Sequence, residues 1–522
     1  MADDDLLPDG EPCRRGRSTV PPERNGERSR RAVIAAVLTL IPLGGCGKQR
    51  PSIPNRPTLE SHGAGPTLAG RGTGNHPESR LRTPSPGTGR TSSSPPNLPD
   101  LSFEFERRIR AVADLGMDPT GNRPIDDALE SVLQNRTLIE FEPGTYITSR
   151  RHDIEFLEDW GIRGIGSSRG AVRIRPPTGE WLYFLNVQSG RNILVNNVTF
   201  DMLDTWHGAI GNVFSVSDGL HLKDVEYAGR HPNQRTGTAT LIVVRIRDPD
   251  GTGIVDGFVK QGPTELTEFP NNAITLFSGS GCNGTLYLLN SHFENSGEHG
   301  AYVSHTDGPV RIWNCTFKNN QNSHARISGA GSWVRHSRFI WDIADHPNKG
   351  SFQSQTGLVW EAGNTGKESG GDVENCEFDC RSSAANSGCL KIDGSHGTVR
   401  VTHCHFRVHQ DGVAPIVAES PGSGHLITGL PLEPWGITLR NLHITGAGIA
   451  HPRTPGAINL LGRDGSVIDG VGIDLHGSRM GLYLTDGTYF LRDMDIEAAV
   501  EPITTVNAAI EHLPRLSERR SD

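Results

Sequence analysis

Methionine is nearly missing from this chain, with 5 in 522 residues, and aromatic residues make up only 6% of it. Helix-on-helix packing needs more large apolar side chains than that, so a helical bundle is excluded. No apolar run reaches the roughly 18 residues of a spanning helix, which excludes a polytopic membrane protein. Lysine is scarce too, 7 of the 51 basic residues, and no Lys/Arg-rich run marks a nucleic-acid surface. The arginine bias fits a GC-rich genome of the haloarchaeal kind, although a pI near 6.2 lies above that of salt-adapted proteins. No Cys-x-x-Cys occurs among the 8 cysteines, which argues against zinc. What abounds is glycine (63) and proline (34), the material of turns and corners.

The first hundred residues read as address and tether. Ser29-Arg30-Arg31 precedes an apolar stretch from Ala32 to Leu43, then Leu43-Gly44-Gly45-Cys46. A charged n-region, a short apolar core and small residues before a cleavage point make an export signal. Leu-Gly-Gly-Cys resembles the lipobox of lipoproteins, which implies lipidation at Cys46. Ser-Arg-Arg-Ala-Val-Ile resembles a twin-arginine motif, with Val33 where Phe is usual. Residues 47–100 are mostly Pro, Ser, Thr, Gly and Arg and cannot bury enough surface to offset ordering entropy, so a disordered stalk is expected. The expected division is 1–46 signal, 47–100 stalk and 101–522 folded body: an exported, cell-surface protein that meets the membrane only through its lipid.

The body is a repeat. One four-residue pattern recurs: Asn, Asp or His, a small residue, any residue, then Phe or an aliphatic. Copies are Asn197-Val198-Thr199-Phe200, Asp224-Val225-Glu226-Tyr227, Asp256-Gly257-Phe258-Val259, Asn290-Ser291-His292-Phe293 and Asn314-Cys315-Thr316-Phe317. Further copies end at Phe339, Phe378, Phe406, Ile444, Ile473 and Ile496. The spacing runs from 22 residues (Phe317 to Phe339) to 39 (Phe339 to Phe378). The floor is one coil of a parallel β-helix, and the excess is loop. Alternation turns the small residue and the Phe inward. Ser291, Cys315, Ser337, Cys376 and Cys404 then form one internal column and the Phe residues another. The Asn column suits a turn whose amides bond along the stack. The cysteines share their column with serine, so reduced thiols are expected rather than bridges, although export permits disulfides. A leucine-rich horseshoe would need a Leu-x-x-Leu-x-Leu frame, and none repeats.

The regularity resembles the right-handed parallel β-helix of the pectate-lyase-like superfamily, over roughly residues 120–500. Leu138-Ile139-Glu140-Phe141 followed by Pro143-Gly144-Thr145-Tyr146 resembles its opening strands, and Pro124 to Leu129 would begin a capping helix. The expected fold is all-β: a single-stranded, right-handed parallel β-helix of about 10–12 coils with an N-terminal helical cap.

Two constellations are candidate sites. Arg230-His231-Pro232-Asn233-Gln234-Arg235-Thr236-Gly237 resembles the Arg-x-Pro-x-x-Arg-x-Gly string of pectate lyases. That resemblance implies Arg230 as base, Arg235 at a substrate carboxylate, and Asp201 and Asp204 as Ca²⁺ ligands. The family's Trp-Ile-Asp-His segment is missing, so the string also reads as an accident of an Arg- and Pro-rich chain. The second is Glu298-His299-Gly300-Ala301-Tyr302-Val303 with Ser323-His324-Ala325-Arg326-Ile327 on the next coil. Alternation turns Tyr302 and Arg326 outward and stacks them, with His299, His305 and His324 at strand edges. The frame looks like the strand entry of alginate epimerases and related lyases, without their Asp-Pro-His motif. An Arg to offset a carboxylate, a base and a Tyr or His acid suit β-elimination or C5 epimerisation of a uronate. The plain alternative is exposed polar residues on a solvated sheet.

No carboxylate pair recommends glycoside hydrolysis. Inserts at about 343–356 and 410–434 would wall a groove if they rise beside Arg326, and Trp341 and Trp360 would be sugar platforms or core anchors. The expected partner is a polysaccharide or surface glycan, not nucleic acid. The expected activity is that of a polyuronate lyase or epimerase, with a non-catalytic glycan-binding or envelope module and a glycoside hydrolase as alternatives.

Overall fold

The computed structural model describes residues 96–204, 208–232, 239–266, 273–363, 369–423 and 429–514. The signal, Cys46, nearly all of the stalk and Arg235 lie outside the described residues.

The body is a right-handed parallel β-helix. The named strands pair in parallel from Arg107–Arg110 to Ile503–His512. One coil shows the plan. Thr285–Leu289 belongs to a first sheet, His292–Glu294 to a second and His299–Tyr302 to a third. The next coil repeats it with Val310–Trp313, Thr316–Lys318 and Asn322–Ile327, each in register with its predecessor.

The corner between the first and second sheets explains the sequence repeat. Its first residue is left-handed in coil after coil: Asn290 (φ 48°), Asn314 (φ 52°), His336 (φ 52°), Asn375 (φ 52°) and Asn441 (φ 51°). Asn tolerates that region better than most residues. Its amide also bonds along the stack, Asn314 Nδ2 to Asn290 Oδ1 at 2.7 Å and Asn290 Nδ2 to Asp256 Oδ1 at 2.8 Å. Behind it runs the inner ring ladder, with Phe293–Phe317, Phe317–Phe339, Phe339–Phe378 and Phe378–Phe406 stacked nearly parallel, centroids 4.5–5.2 Å apart. The small-residue column is buried beside it, and its cysteines are free thiols.

One copy of the repeat is shifted by a residue from the sequence reading. Gly257, not Asp256, takes the left-handed corner (φ 67°), and Phe258 sits where Ser291 sits in the next coil. Lys260, not Val259, is in register with Phe293. The fully buried Lys260 Nζ donates to Gly262 O, Thr264 Oγ1, Glu294 O and Asn295 O at 2.6–3.0 Å. The ring ladder continues because Phe258 reaches across, 5.9 Å from Tyr227 and 5.1 Å from Phe293.

The expected cap is a short helix, Asp126–Glu130, which buries Leu129 over the first coil. Asp126 fastens it. Its carboxylate takes Thr148 Oγ1 (2.7 Å), Ser149 N (3.0 Å) and Ser149 Oγ (2.7 Å), and lies 2.9 Å from His152 Nε2. Burial alone would raise its pKa, but these partners hold it well below the usual carboxylate range. Before the first strand the chain lies along the outside of the first sheet. Leu101 packs on a small outer cluster of Ile254, Tyr287 and Leu289, and the Phe103 ring stacks 6.4 Å from His221.

Candidate functional site

The loops single out one sheet. Between the first and second sheets the turns are tight. The long connections leave at the two edges of the third sheet. Residues 343–354 join the second to the third sheet, between strands Arg338–Asp342 and Gln355–Trp360. Residues 409–415 leave at that same edge, and residues 419–437 leave at the opposite one. Long connections therefore flank the third sheet on both edges.

On that sheet an outward column runs Phe277, Tyr302, Arg326, Val359, Lys391, each in register with the next. The Tyr302 hydroxyl is 2.8 Å from His305 Nε2, and the Phe277 ring meets Tyr302 edge-on at 5.8 Å. The Arg326 guanidinium lies 5.2 Å from the centre of the Tyr302 ring, a cation–π placement. Burial, helped by Glu361, pushes the Tyr302 hydroxyl pKa far up, so it stays a proton donor.

Glu361 was not among the residues singled out from sequence. It lies just past the strand Gln355–Trp360, and its side chain is 1% exposed. Its carboxylate takes Arg326 Nη2 and Ser304 Oγ, both at 2.5 Å. Burial opposes the charge on Arg326, but Glu361 outweighs it and raises the guanidinium pKa. Arg326 Nε is buried with no hydrogen-bond partner among the described residues. The signal was present: Glu361 follows Val359 by two, so it shares that residue's outward face. Asp393 and Glu419 follow the next two strands at the equivalent place, their amides continuing the ladder to Trp360 O (2.8 Å) and Ile392 O (2.9 Å). Three carboxylates thus stand on successive coils, about 4.8 Å apart in backbone spacing.

The histidines divide. His305 is half-buried and belongs to the site. His299 is 1% exposed and its ring lies tilted against Tyr302, centroids 4.5 Å apart. Its Nδ1 meets Ser323 Oγ at 2.7 Å, and its Nε2 meets Asn322 Nδ2 at 3.1 Å. Burial lowers its pKa against the pull of Glu298. It supports the tyrosine and does not face the groove. His324, expected at a strand edge, is fully buried against Trp341 at 4.4 Å with Nε2 3.0 Å from Ile340 O. Burial holds its pKa at about 3, a neutral core histidine. Beside it Gly300 has no room for a side chain, since an added Cβ would lie 2.5 Å from His324 O. Trp341 and Trp360 are core anchors with no exposed surface.

Of the Arg230 string, Arg230, His231 and Pro232 are described. Arg230 leaves the coil two turns before Tyr302, its amide bonded to Leu203 O at 2.8 Å. His231 beside it is buried, 2.7 Å from Ala239 O. Asp201 pairs with Arg173 Nη1 at 2.7 Å and takes Leu203 N at 2.9 Å with its other oxygen. Ca²⁺ wants six to eight oxygens. Asp201 and Asp204 do not offer that set, and among the described residues no group of three or more His, Cys, Asp or Glu could hold a metal.

No family model matches the chain, and no curated protein matches it. Solved structures share its coil at low identity. The A-module of mannuronan C-5 epimerase AlgE4 from Azotobacter vinelandii is 13% identical, over 78% of this chain and 100% of that one, with a TM-score of 0.45. PfbA, a surface adhesin of Streptococcus pneumoniae, is 12% identical over 77% and 93%, with a TM-score of 0.43. A family 28 exopolygalacturonase from Yersinia enterocolitica is 10% identical over 78% and 79%, with a TM-score of 0.35.

Proposed function

We propose that this chain is an exported, lipid-anchored carbohydrate-active enzyme that works on a polyuronate by β-elimination or C5 epimerisation at Tyr302, His305 and Arg326. The observation that carries this reading is the 2.8 Å contact between Tyr302 Oη and His305 Nε2 beside the Arg326 guanidinium, which lies 5.2 Å from the Tyr302 ring centre. Arg326 takes the substrate carboxylate and offsets the charge that builds up when C5 loses its proton. His305 accepts that proton. As the C4–O bond breaks and the C4=C5 double bond forms, Tyr302 gives its proton to the departing oxygen. The proton on His305 then passes to Tyr302 across their contact. Return of a proton to the other face of C5, without C4–O cleavage, gives the epimer instead.

Glycoside hydrolysis is the second reading, favoured by Glu361, Asp393 and Glu419 on successive coils. Neighbouring coils give the short carboxylate separation of a retaining enzyme, and alternate coils the longer one of an inverting enzyme.

The test is a panel of alginate, pectate and glucuronan incubated in D₂O. Ultraviolet absorbance reports unsaturated ends, NMR reports deuterium at C5, and a reducing-end assay reports hydrolysis. Deuterium uptake or unsaturation that disappears in Tyr302→Phe supports the first reading. New reducing ends without either replace it by hydrolysis. Binding without any product leaves a glycan-binding module.

A further inference from the structure

Six cysteines among the described residues carry free thiols, and all six are buried. Cys315, Cys376 and Cys404 belong to the small-residue column. Each gives its thiol to the carbonyl two residues before it, at 3.4, 3.3 and 3.2 Å. Cys380 and Cys389 stand outside that column, on one coil, at the corner between the second and third sheets.

The preceding coil shows how close those two positions are. Cys380 is in register with Trp341 and Leu390 with Leu358, which puts Cys389 beside Gly357. The Trp341 ring reaches across to Gly357, where an added Cβ would lie 2.8 Å from Trp341 Cη2 and 1.8 Å from Cys389 O. One tryptophan thus spans both positions in its coil, and two thiols fill them in the next, each 0% exposed. The two thiols are hydrogen-bond partners.

A cation is buried beside them. Arg479 is 1% exposed and donates from Nε to Gly448 O at 3.2 Å and from Nη2 to Ile449 O at 3.0 Å. Its Nη1 is buried with no hydrogen-bond partner among the described residues. Its charge interacts with both Cys389 and Cys380. Burial pushes the Cys389 thiol pKa up, and Arg479 opposes that shift. A guanidinium in this position favours the thiolate, which is the form that attacks a disulfide.

We infer that Cys380 and Cys389 are a redox pair, reduced in this structure and joined into a disulfide by exchange with a small disulfide such as oxidised glutathione. One thiolate attacks the oxidant's disulfide, forms a mixed disulfide and expels one thiol. The second thiolate attacks the protein sulfur of that mixed disulfide and expels the other. Two electrons and the two cysteine protons end on the oxidant, which leaves as two thiols. The new bond closes the corner 381–388. In that corner Ser383 N donates to Gln410 Oε1 at 3.1 Å and Ala384 N to Gln355 Oε1 at 3.0 Å. The bond therefore staples the edge of the third sheet where 343–354 and 409–415 leave, whatever chemistry that sheet carries.

The test equilibrates the full-length chain with a series of oxidised-to-reduced glutathione ratios, then alkylates it under denaturing conditions and maps the peptides. Each mixture is also approached from the urea-unfolded chain, so that slow access to buried sulfurs does not hide the equilibrium. In the oxidised limit Cys380 and Cys389 are expected to lose alkylation together, in a linked peptide pair lighter by two hydrogens. Cys315, Cys376 and Cys404 are expected to stay alkylated. Cys380→Ser, run in parallel, should abolish the linked pair. Both thiols alkylated at every ratio, glutathione on one of them without ring closure, or a Cys376–Cys404 bond in their place each overturns the inference.

Discussion

Arg326 and Glu361 stand on neighbouring coils with Nη2 and Oε2 2.5 Å apart, and the other oxygen of that carboxylate holds Ser304. The pair is largely out of water, with 19% and 1% of the side chains exposed. A guanidinium held on one side by a carboxylate and on the other by the Tyr302 ring has one geometry, which is what a carboxylate-binding group requires.

Glu361→Gln keeps the size and removes the charge. It leaves Arg326 half-sequestered without its counter-ion. The expected loss is about 3 kcal/mol of stability, read by denaturant unfolding, with activity lowered by ~10-fold or more from the displaced guanidinium. An unchanged unfolding midpoint would show that the pair is not formed in solution.

Lys260 supplies a pH signature. Burial pushes its ammonium pKa down to about 7, only partly countered by Glu294. Its folded pKa is then below the unfolded one near 10.4. The unfolded chain therefore binds more protons between those values, and stability rises with pH across that window. Thermal melts of the native chain from pH 7 to 10 should rise relative to Lys260→Met, in which this increment is absent. Parallel curves for the two proteins would refute it.

Asp126 has the acid counterpart. Its carboxyl is held well below 3.8, so its contribution is complete above that pH and is lost as pH falls towards the lower folded value. Asp126→Asn should cost about 3 kcal/mol near neutrality, because it breaks a buried charged network at the helical cap. The difference from the native chain should shrink in acid, which melts at pH 3 and pH 7 would show.

Calcium removal should leave this protein unmoved. With Asp201 committed to Arg173, chelation by EDTA is expected to change neither the melting temperature nor product formation. A drop of several degrees restored by Ca²⁺ would mean that a cation site forms after all.

The coil and its ladders were legible in the sequence because the repeat has a covalent period. Asn290, Asn314 and Asn375 recur where a left-handed corner must be, and Phe293, Phe317 and Phe378 recur three residues later. Where the frame slipped, the cause was chemical likeness: Asp256 looks like the corner residue that Gly257 is, so Val259 was given the slot that Lys260 fills. The outward pairing of Tyr302 with Arg326 followed from strand alternation alone.

Orientation at the strand ends did not follow. His299 and His305 lie six residues apart and look alike in sequence, yet one is sealed between Ser323 and Asn322 and the other meets Tyr302 at the groove. The irregular backbone flanking each strand of the third sheet decides that, and alternation does not extend through it. Glu361 belongs to the site only because coils stack at about 4.8 Å and bring residues 57 apart in sequence, Ser304 and Glu361, within a hydrogen bond. Local period and turn chemistry are properties of the chain, and they determined the fold. Which polar groups share one low-dielectric surface depends on the number of residues in each corner loop, and that was decided only when the coils closed on one another.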